Sequence, residues 1–501
     1  MHEASLRLTE LVDRLRGEGL AATVTNGAAS NPSLSGVAAD SRRMQSGALF
    51  VAIPGTKTDG RAFIADALAK GAAALLVPEG TATEAAVPVV AVSNVRRAYA
   101  VAAAAIFGAQ PPTIAAVTGT NGKTSVAVFT QQIWTALGRS AGSLGTLGLD
   151  APKVSVPGAL TTPDPETLHR FLADLAAQGV THLAMEASSH GIDQHRLDGV
   201  RLSAAGFTNF SRDHLDYHGS EETYFTAKAR LFETLLPEGK IAVLNADIPQ
   251  FEKLTSIARD RGLKTISYGW AGKDITLNDL APLPDGQRLR VTLFGKTRDL
   301  TVPLIGAFQA ANALCALGLA IACGEAPEKA IETLPKLAGV RGRMEIAAYH
   351  PSGAPVFVDY AHTPDGLLAV LTALRPHVRR RLLIVFGCGG DRDKGKRPLM
   401  GAVACRLADQ AIVTDDNPRS EEAAAIRAAI LAGCPPAAKQ AGVVEEIGDR
   451  ALAIRRAVAR LEAGDVLVIA GKGHEQGQIV GATVIPFDDA NEARKAVKEA
   501  A

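Results

Sequence analysis

The run from Thr113 to Val117 is short and almost wholly apolar. It passes through Thr118-Gly119-Thr120-Asn121-Gly122-Lys123-Thr124-Ser125 into a segment with apolar residues at Val126, Phe129, Ile133 and Leu137. This order predicts a buried strand over 113–117, a glycine turn, and a helix that opens at Lys123 or Thr124 and reaches Leu137. A strand feeding directly into a helix constrains the fold strongly, because such units build a sheet with helices packed on it. Gly119 and Gly122 let the backbone approach a bound group with no Cβ in the way. The turn then aims backbone N–H groups and a helix N-terminus at one point, where phosphate belongs. The loop Gly119, Thr120, Asn121, Gly122, Lys123, Thr124, Ser125 therefore reads as a site for a nucleoside triphosphate. Lys123 would reach the terminal phosphates and the Thr124 hydroxyl would ligate Mg²⁺. The usual phosphate-loop pattern has a further glycine where Val117 stands. The alternative is a tight turn with a solvent-facing lysine; the apolar strand before it and the helical run after it favour the phosphate loop.

At 501 residues and 47% apolar content, the chain has room for about two to four domains. A net charge of +1 gives no electrostatic case for nucleic acid or an anionic membrane surface. Five cysteines (Cys315, Cys323, Cys388, Cys405, Cys434) are odd in number and lack metal spacing, so they read as free thiols of a reducing cytoplasm. The first twenty residues lack the basic and apolar regions of a signal peptide, and the longest apolar run, near Ala98 to Ala109, is too short to span a bilayer. A cytoplasmic protein without membrane insertion is expected.

Three α/β units are expected. Residues 1–107 carry β-like runs at Leu49–Ile53 and Ala73–Val77 and end at the breaker cluster Gly108-Ala109-Gln110-Pro111-Pro112. Residues 108–338 alternate strands (113–117, 183–185, 204–208, 241–244) with helices, the signature of a parallel sheet. Residues 339–501 repeat the pattern at 356–358, 381–386, 410–413 and 466–469. Functional loops should leave the carboxyl ends of these strands.

Four polar clusters do so. In Met185-Glu186-Ala187-Ser188-Ser189-His190, Glu186 either ligates a metal or caps the next helix. In Asn209-Phe210-Ser211-Arg212-Asp213-His214-Leu215-Asp216-Tyr217-His218-Gly219, carboxylates and histidines crowd one loop. That suits Mg²⁺ with one His ligand better than zinc, though a hydrogen-bonded polar loop is the plain alternative. Gly387-Cys388-Gly389-Gly390-Asp391-Arg392-Asp393-Lys394-Gly395-Lys396-Arg397-Pro398 would fold over an anionic or zwitterionic ligand, or is a solvated charge run. Asp416-Asn417-Pro418-Arg419 sets a carboxylate beside a guanidinium, fit for a ligand bearing ammonium and carboxylate, or forms an Asx turn. Polar groups also end strands at Asp359-Tyr360-Ala361-His362 and Gly471-Lys472-Gly473-His474-Glu475.

Taken in order, GTNGKTS (119–125), MEASSH (185–190), SRDHLDYHG (211–219), Tyr224 to Lys228, GRME (342–345), DYAHTPD (359–365) and GCGGDRDKGKRP (387–398) resemble the Mur ligases. These are the ATP-dependent amide ligases of peptidoglycan precursor synthesis. Asp40-Ser41-Arg42 and Asp59-Gly60-Arg61 extend the likeness into the first unit. The resemblance implies a uridine-binding first domain, a central ATPase domain and a Rossmann-like third domain that binds the amino acid. DNPR (416–419) resembles the version that selects meso-2,6-diaminopimelate over lysine. The implied reaction joins that amino acid to the D-Glu γ-carboxylate of UDP-N-acetylmuramoyl-L-alanyl-D-glutamate through an acyl phosphate, with ATP and Mg²⁺ and with a monomer as the expected state.

By the same resemblance, Ser41, Thr56, Lys57 and Thr58 would hold the uridine end, and Thr161, Thr162, Ser188, Gln194 and Arg196 the muramyl dipeptide. Asn312, Arg343 and Asp359 would complete the ATP site. Arg392, Asp416, Asn417, Pro418, Arg419, Gly471 and Glu475 would bind the incoming amino acid. Thr124, Glu186 and His214 would surround Mg²⁺, together with Lys228 if it is carbamylated, as the matching lysine is in this family. Lys123, Lys228, His214 and Glu186 would be the catalytic set. Gln309 departs from the family, where Asn is frequent. The rivals are a lysine-adding or other ligase of the same family, a folylpolyglutamate synthetase, a phosphate-loop ATPase or kinase, and a non-catalytic nucleotide-binding module.

Overall fold

The computed structural model describes residues 6–26, 30–55, 58–158, 160–283 and 285–500. Their main strands form three sheets, each drawn from one stretch of the chain. The first has five strands in the order Ala22–Asn26, Val89–Val92, Ala74–Pro78, Leu49–Val51, Val37–Ala38. Only the first pairing is antiparallel. Helix Leu8–Gly17 buries Leu8, Leu11, Val12 and Leu15, its residues at helical spacing, in one core with Val95–Phe107 and the strands.

The central sheet has eleven strands, and the strand before the glycine loop, Thr113–Thr118, lies inside it between His182–Glu186 and Ala204–Phe207. Glu186 pairs with Val117 and Phe207 with Thr118, so three parallel strands release their loops at one edge. The expected parallel sheet forms the centre of this sheet, with antiparallel strands added at both margins. Seven strands from Ala141–Gly145 to Ile275–Leu283 are parallel, but Gly148–Ala151 and Val154–Pro157 at one margin, and Gly286–Leu293 and Lys296–Val302 at the other, are antiparallel. Antiparallel neighbours need only a tight turn, whereas parallel ones need a crossover. Phe294 and Gly295 supply such a turn, with φ of 45° and 82°. Helix Lys123–Ala136 buries Val126, Phe129, Ile133 and Trp134 against this sheet and helix Ala307–Ala322. Helices Pro165–Ala177 and Glu221–Arg230 pack in the core of the opposite face.

The third sheet runs Glu345–Tyr349, Pro355–Asp359, Val466–Ala470, Leu382–Phe386, Gln410–Val413, Val444–Glu446, with only the first strand antiparallel. Leu382–Phe386 and Val466–Ala470 are buried at every residue, as strands covered on both faces must be. Loops after Asp359, Phe386, Val413 and Ala470 therefore gather at one end. Among the described residues no helix is long and apolar enough to cross a membrane. All five cysteines are free of disulfides, and Cys315, Cys388 and Cys434 are buried.

Candidate active site

The glycine loop is held from the neighbouring strand end. Thr120 N donates to Asn209 O (2.9 Å), Asn121 N to Asn209 Oδ1 (2.9 Å), and Thr208 Oγ1 to Asn121 O (2.6 Å). The two glycines are required here. Gly119 and Gly122 have φ of 141° and 88°, and a Cβ would overlap Thr208 Oγ1 in the first case and Asn312 Oδ1 in the second. Lys123 folds back so that Nζ donates to Gly119 O (2.9 Å) and Thr120 O (2.8 Å), while burial pushes its pKa down. The lysine therefore faces into the molecule, which removes the solvent-facing alternative.

Lys228 reaches the same carbonyl from helix Glu221–Arg230. It is buried, its Nζ donates to Gly119 O (2.8 Å) and lies 4.4 Å from the Tyr224 ring centroid. Burial first, and the Lys123 ammonium second, push its pKa well below that of a free lysine. Such an amine spends more of its time neutral and nucleophilic, which is what addition to CO₂ needs.

Glu186 is 1% exposed at the end of its strand. Its carboxylate accepts from Thr146 N (2.7 Å) and Thr146 Oγ1 (3.2 Å). The helix that follows is capped by Ser188 Oγ, which accepts from Gly191 N (3.1 Å), so Glu186 is not the cap. His214 sits at φ 53° with its ring 4.9 Å from that of His190. Partial burial holds its pKa below the ordinary value, leaving a lone pair for a ligand.

The third unit closes this site. Arg343 Nη2 donates to Thr124 Oγ1 (3.1 Å) and its guanidinium lies 4.3 Å from the Tyr360 ring centroid. Asp359 accepts from Met344 N and Ala361 N, both at 2.7 Å, and burial pushes its pKa up. Asn312 Nδ2 donates to Gln309 Oε1 (3.0 Å), and Gln309 Nε2 to Arg343 O (3.3 Å), so the departure at Gln309 keeps an amide bridge. Thr120 to Ser125, Thr161, Glu186, Asp213, His214, Asn312, Arg343 and Asp359 all line one cavity of ≈ 450 Å³.

The donors present suit Mg²⁺. Among the described residues no group of three or more His, Cys, Asp or Glu could hold a metal alone. A hydroxyl, a carboxylate and a neutral imidazole do line the cavity, and Mg²⁺ normally combines one or two carboxylates with phosphate oxygens and water.

The dipeptide set forms one network. Thr162 Oγ1 donates to Glu186 O (2.9 Å) and accepts from Ser188 N (3.0 Å). Arg196 Nη1 donates to Thr162 O (2.6 Å) and Nη2 to Gln194 Oε1 (2.8 Å). Thr161 Oγ1 lies 3.0 Å from Thr146 Oγ1. Gln194 and Arg196 also line a second cavity of ≈ 270 Å³, where Arg43 of the first unit pairs with Asp164 (3.4 Å) and Glu166 (2.9 Å). Ser41 is buried, with its carbonyl accepting from Lys70 Nζ (2.9 Å), and is not in that lining. Thr58 is exposed, and Thr56 and Lys57 lie outside the described residues.

The amino-acid set gathers at the ends of three strands of the third sheet, beside the larger cavity but not among its lining residues. Gly389 stands between Arg419 and Arg392: a Cβ there would meet Arg419 Nη1 at 2.7 Å and Arg392 Cγ at 3.9 Å. Arg392 is exposed; Arg419 is half-buried at φ 52°, with Nη1 donating to Gly390 O (2.8 Å). Asn417 Nδ2 donates to Glu475 Oε2 (2.8 Å), and its Oδ1 accepts from Ile479 N (2.9 Å), so its side chain serves a distant strand rather than an Asx turn. Gly471 N donates to Asp359 O (3.1 Å), and a Cβ on Gly471 would press on Asp416 Oδ2. The segment 391–398 is not simply a solvated run, since Lys396 and Arg397 are buried and Arg397 pairs with Glu421 (2.9 Å).

Sequence reasoning gave no site role to Thr146, Thr208, Asn209 or Lys472, although Asn209 opens the second polar cluster and Lys472 lies in the polar run 471–475. Lys472 was signalled by a cation between two glycines directly after an apolar strand. Thr146 carries no signal, because only the register of the sheet brings it to Glu186.

Three family models cover most of the chain: "Mur ligase family, catalytic domain" at 33–116, "Mur ligase middle domain" at 117–320, and "Mur ligase, glutamate ligase domain" at 342–473. The UDP-N-acetylmuramoyl-L-alanyl-D-glutamate--2,6-diaminopimelate ligase of Caulobacter vibrioides is 55% identical over 94% of this chain and 96% of its own. That of Agrobacterium fabrum is 52% identical over 93% and 94%. A solved structure of a ligase with the same name matches with a TM-score of 0.66 at 35% identity, over 93% of this chain and 95% of the other. The chain belongs to the Mur ligase family.

Proposed function

We propose that the protein joins meso-2,6-diaminopimelate to the γ-carboxylate of the D-glutamyl residue of UDP-N-acetylmuramoyl-L-alanyl-D-glutamate, cleaving ATP to ADP and phosphate. The observation that carries the reading is the cavity in which the phosphate loop, Glu186 and His214 of one sheet face Arg343 and Asp359 of another. An ATPase that turns over alone has no use for a second sheet's strand ends at its phosphates, nor for the Asp416–Arg419 loop. The high identity to relatives of that name supports the substrate pair.

In this reading the γ-carboxylate oxygen attacks the γ-phosphorus and ADP leaves, giving an acyl phosphate. The amine of diaminopimelate, after losing a proton, then attacks the acyl carbon, and the C–O bond to phosphate breaks. The loop N–H groups and Lys123 hold and neutralise the triphosphate, which requires Lys123 to leave its two carbonyl partners. Bound Mg²⁺, held by Thr124, Glu186, His214 and a carbamylated Lys228, would supply charge neutralisation at the phosphates. Thr161, Thr162, Ser188, Gln194 and Arg196 orient the dipeptide; Ser41, Thr56, Lys57 and Thr58 hold the uridine end. Arg419 pairs with the distal carboxylate that lysine lacks, while Asp416 and Glu475 face the ammonium group. The protein works in the cytoplasm as a monomer, with residues 1–107, 108–338 and 339–501 as its domains.

The test is phosphate release with ATP, Mg²⁺ and the UDP-muramyl dipeptide, with meso-diaminopimelate or L-lysine added separately. Turnover with diaminopimelate is expected to exceed that with lysine. Lysine turnover equal to or faster than that with diaminopimelate would overturn the specificity, and hydrolysis indifferent to both amino acids and to the dipeptide would overturn the ligase reading.

A further inference from the structure

Lys472 follows the buried strand Val466–Ala470 and its side chain is wholly inaccessible to solvent. A lysine ammonium has three N–H bonds and no acceptor, so burial demands acceptors on several sides. They come from two loops. Nζ donates to Asn417 Oδ1 (2.8 Å) and Glu475 Oε2 (3.2 Å), and Asp416 Oδ1 lies 3.7 Å away. Asn417 and Asp416 leave one strand end and Glu475 another, so one cation ties together the pieces that the proposed amino-acid site needs in fixed positions.

The clamp also sets which way Asn417 points. With Lys472 and Ile479 N both donating to Oδ1, the amide must turn Nδ2 to Glu475 Oε2. Farther along the same loop, Arg419 is gripped through its backbone: its N donates to Ile479 O (3.0 Å) and its O accepts from Gly481 N (2.8 Å). One layer deeper, Arg450 holds the same two strand ends, donating to Ala470 O (2.9 Å) and Asp415 O (3.4 Å) while paired with buried Asp489. Arg450 thus fixes backbone, whereas Lys472 fixes side chains. Its one positive charge set against two carboxylates leaves a net negative charge, suited to an incoming ammonium.

We infer that Lys472 is a positioning residue that orients Asn417, Asp416 and Glu475 for the incoming amino acid, and so sets affinity and selectivity for it without touching it. The inference rests on the ligase reading above. Steady-state kinetics of Lys472→Met and Lys472→Gln, with wild type alongside, test it. The expected result is a KM for meso-diaminopimelate raised about 10- to 100-fold with the KM for ATP within about twofold. Lys472→Gln, which keeps a donor to Asn417 but drops the charge, should fall between Met and wild type. If Lys472→Met does not fold, the same split is read from Lys472→Gln. Unchanged diaminopimelate KM in the variants, or both KM values rising together with a lower melting temperature, would overturn it. A wild type that makes no amide with either amino acid would instead refute the ligase reading, a result distinct from an active wild type with indifferent variants.

Discussion

Replacing Arg419 by Met separates recognition of the distal carboxylate from everything else in the site. The backbone of Arg419 is anchored on both sides, by Ile479 O and Gly481 N, and Met accepts the same left-handed backbone at no more cost than Arg. The loop should therefore stay in place when the guanidinium goes. The magnitude follows from the surroundings of the group. One guanidinium N–H is committed to Gly390 O, and the side chain is half-buried rather than sealed. A hydrogen bond to a charged partner under such conditions contributes about 1.5–3 kcal/mol, or about 10- to 150-fold. The four- to five-decade discrimination of a fully desolvated polar site is not expected, because Arg419 keeps water and a carbonyl when lysine is bound. Coupled phosphate release should show kcat/KM for meso-diaminopimelate falling by about 10- to 150-fold, kcat/KM for L-lysine moving by less than about threefold, and the KM for ATP unchanged. A parallel loss for both amino acids would refute the reasoning, since it would mean that the guanidinium supports the loop rather than reads the substrate.

Lys228→Ala should lower kcat by about 100-fold or more, and added formate or acetate should restore part of it by supplying an anion where the carbamate stood; rescue by an alkylamine instead would show that the lysine acts as a cation. Gly122→Ala places a Cβ against Asn312 Oδ1 at φ 88°, so it should cost about 1–3 kcal/mol of stability and abolish the melting-temperature gain that ATP gives. His169 is buried, and among the described residues its Nε2 has no hydrogen-bond partner. Burial pushes its pKa from 6.5 down to about 3, so the unfolded chain takes up the proton first. The stability it confers is present above pH 6.5 and is lost as pH falls toward 3, by about 2 kcal/mol between pH 7 and 5. Denaturant unfolding of His169→Met should lack that part of the acid loss, and an identical pH profile in wild type and variant would disprove the assignment.

The sequence by itself determined the phosphate loop, the three runs of alternating strands and helices, and the family motifs. Each of these is written in contiguous residues, where the side-chain period and the glycine positions are fixed locally. It also put Glu186 and Asp359 at strand ends and His214 in the loop after another, because an apolar run that stops at a polar residue marks the edge of a sheet. Which strand end faces which was not legible. The antiparallel margins of the central sheet depend on hairpin turns competing with crossovers. The convergence of Lys123 and Lys228 on the Gly119 carbonyl depends on a helix a hundred residues away docking over the loop. Likewise the pairing of Thr146 with Glu186, and the clamp of Lys472 on Asn417 and Glu475, arise only when strands distant in sequence lie side by side. Tertiary structure decided these contacts because burying a charge is tolerable only with partners. The partners are chosen by the packing of whole sheets rather than by any spacing along the chain.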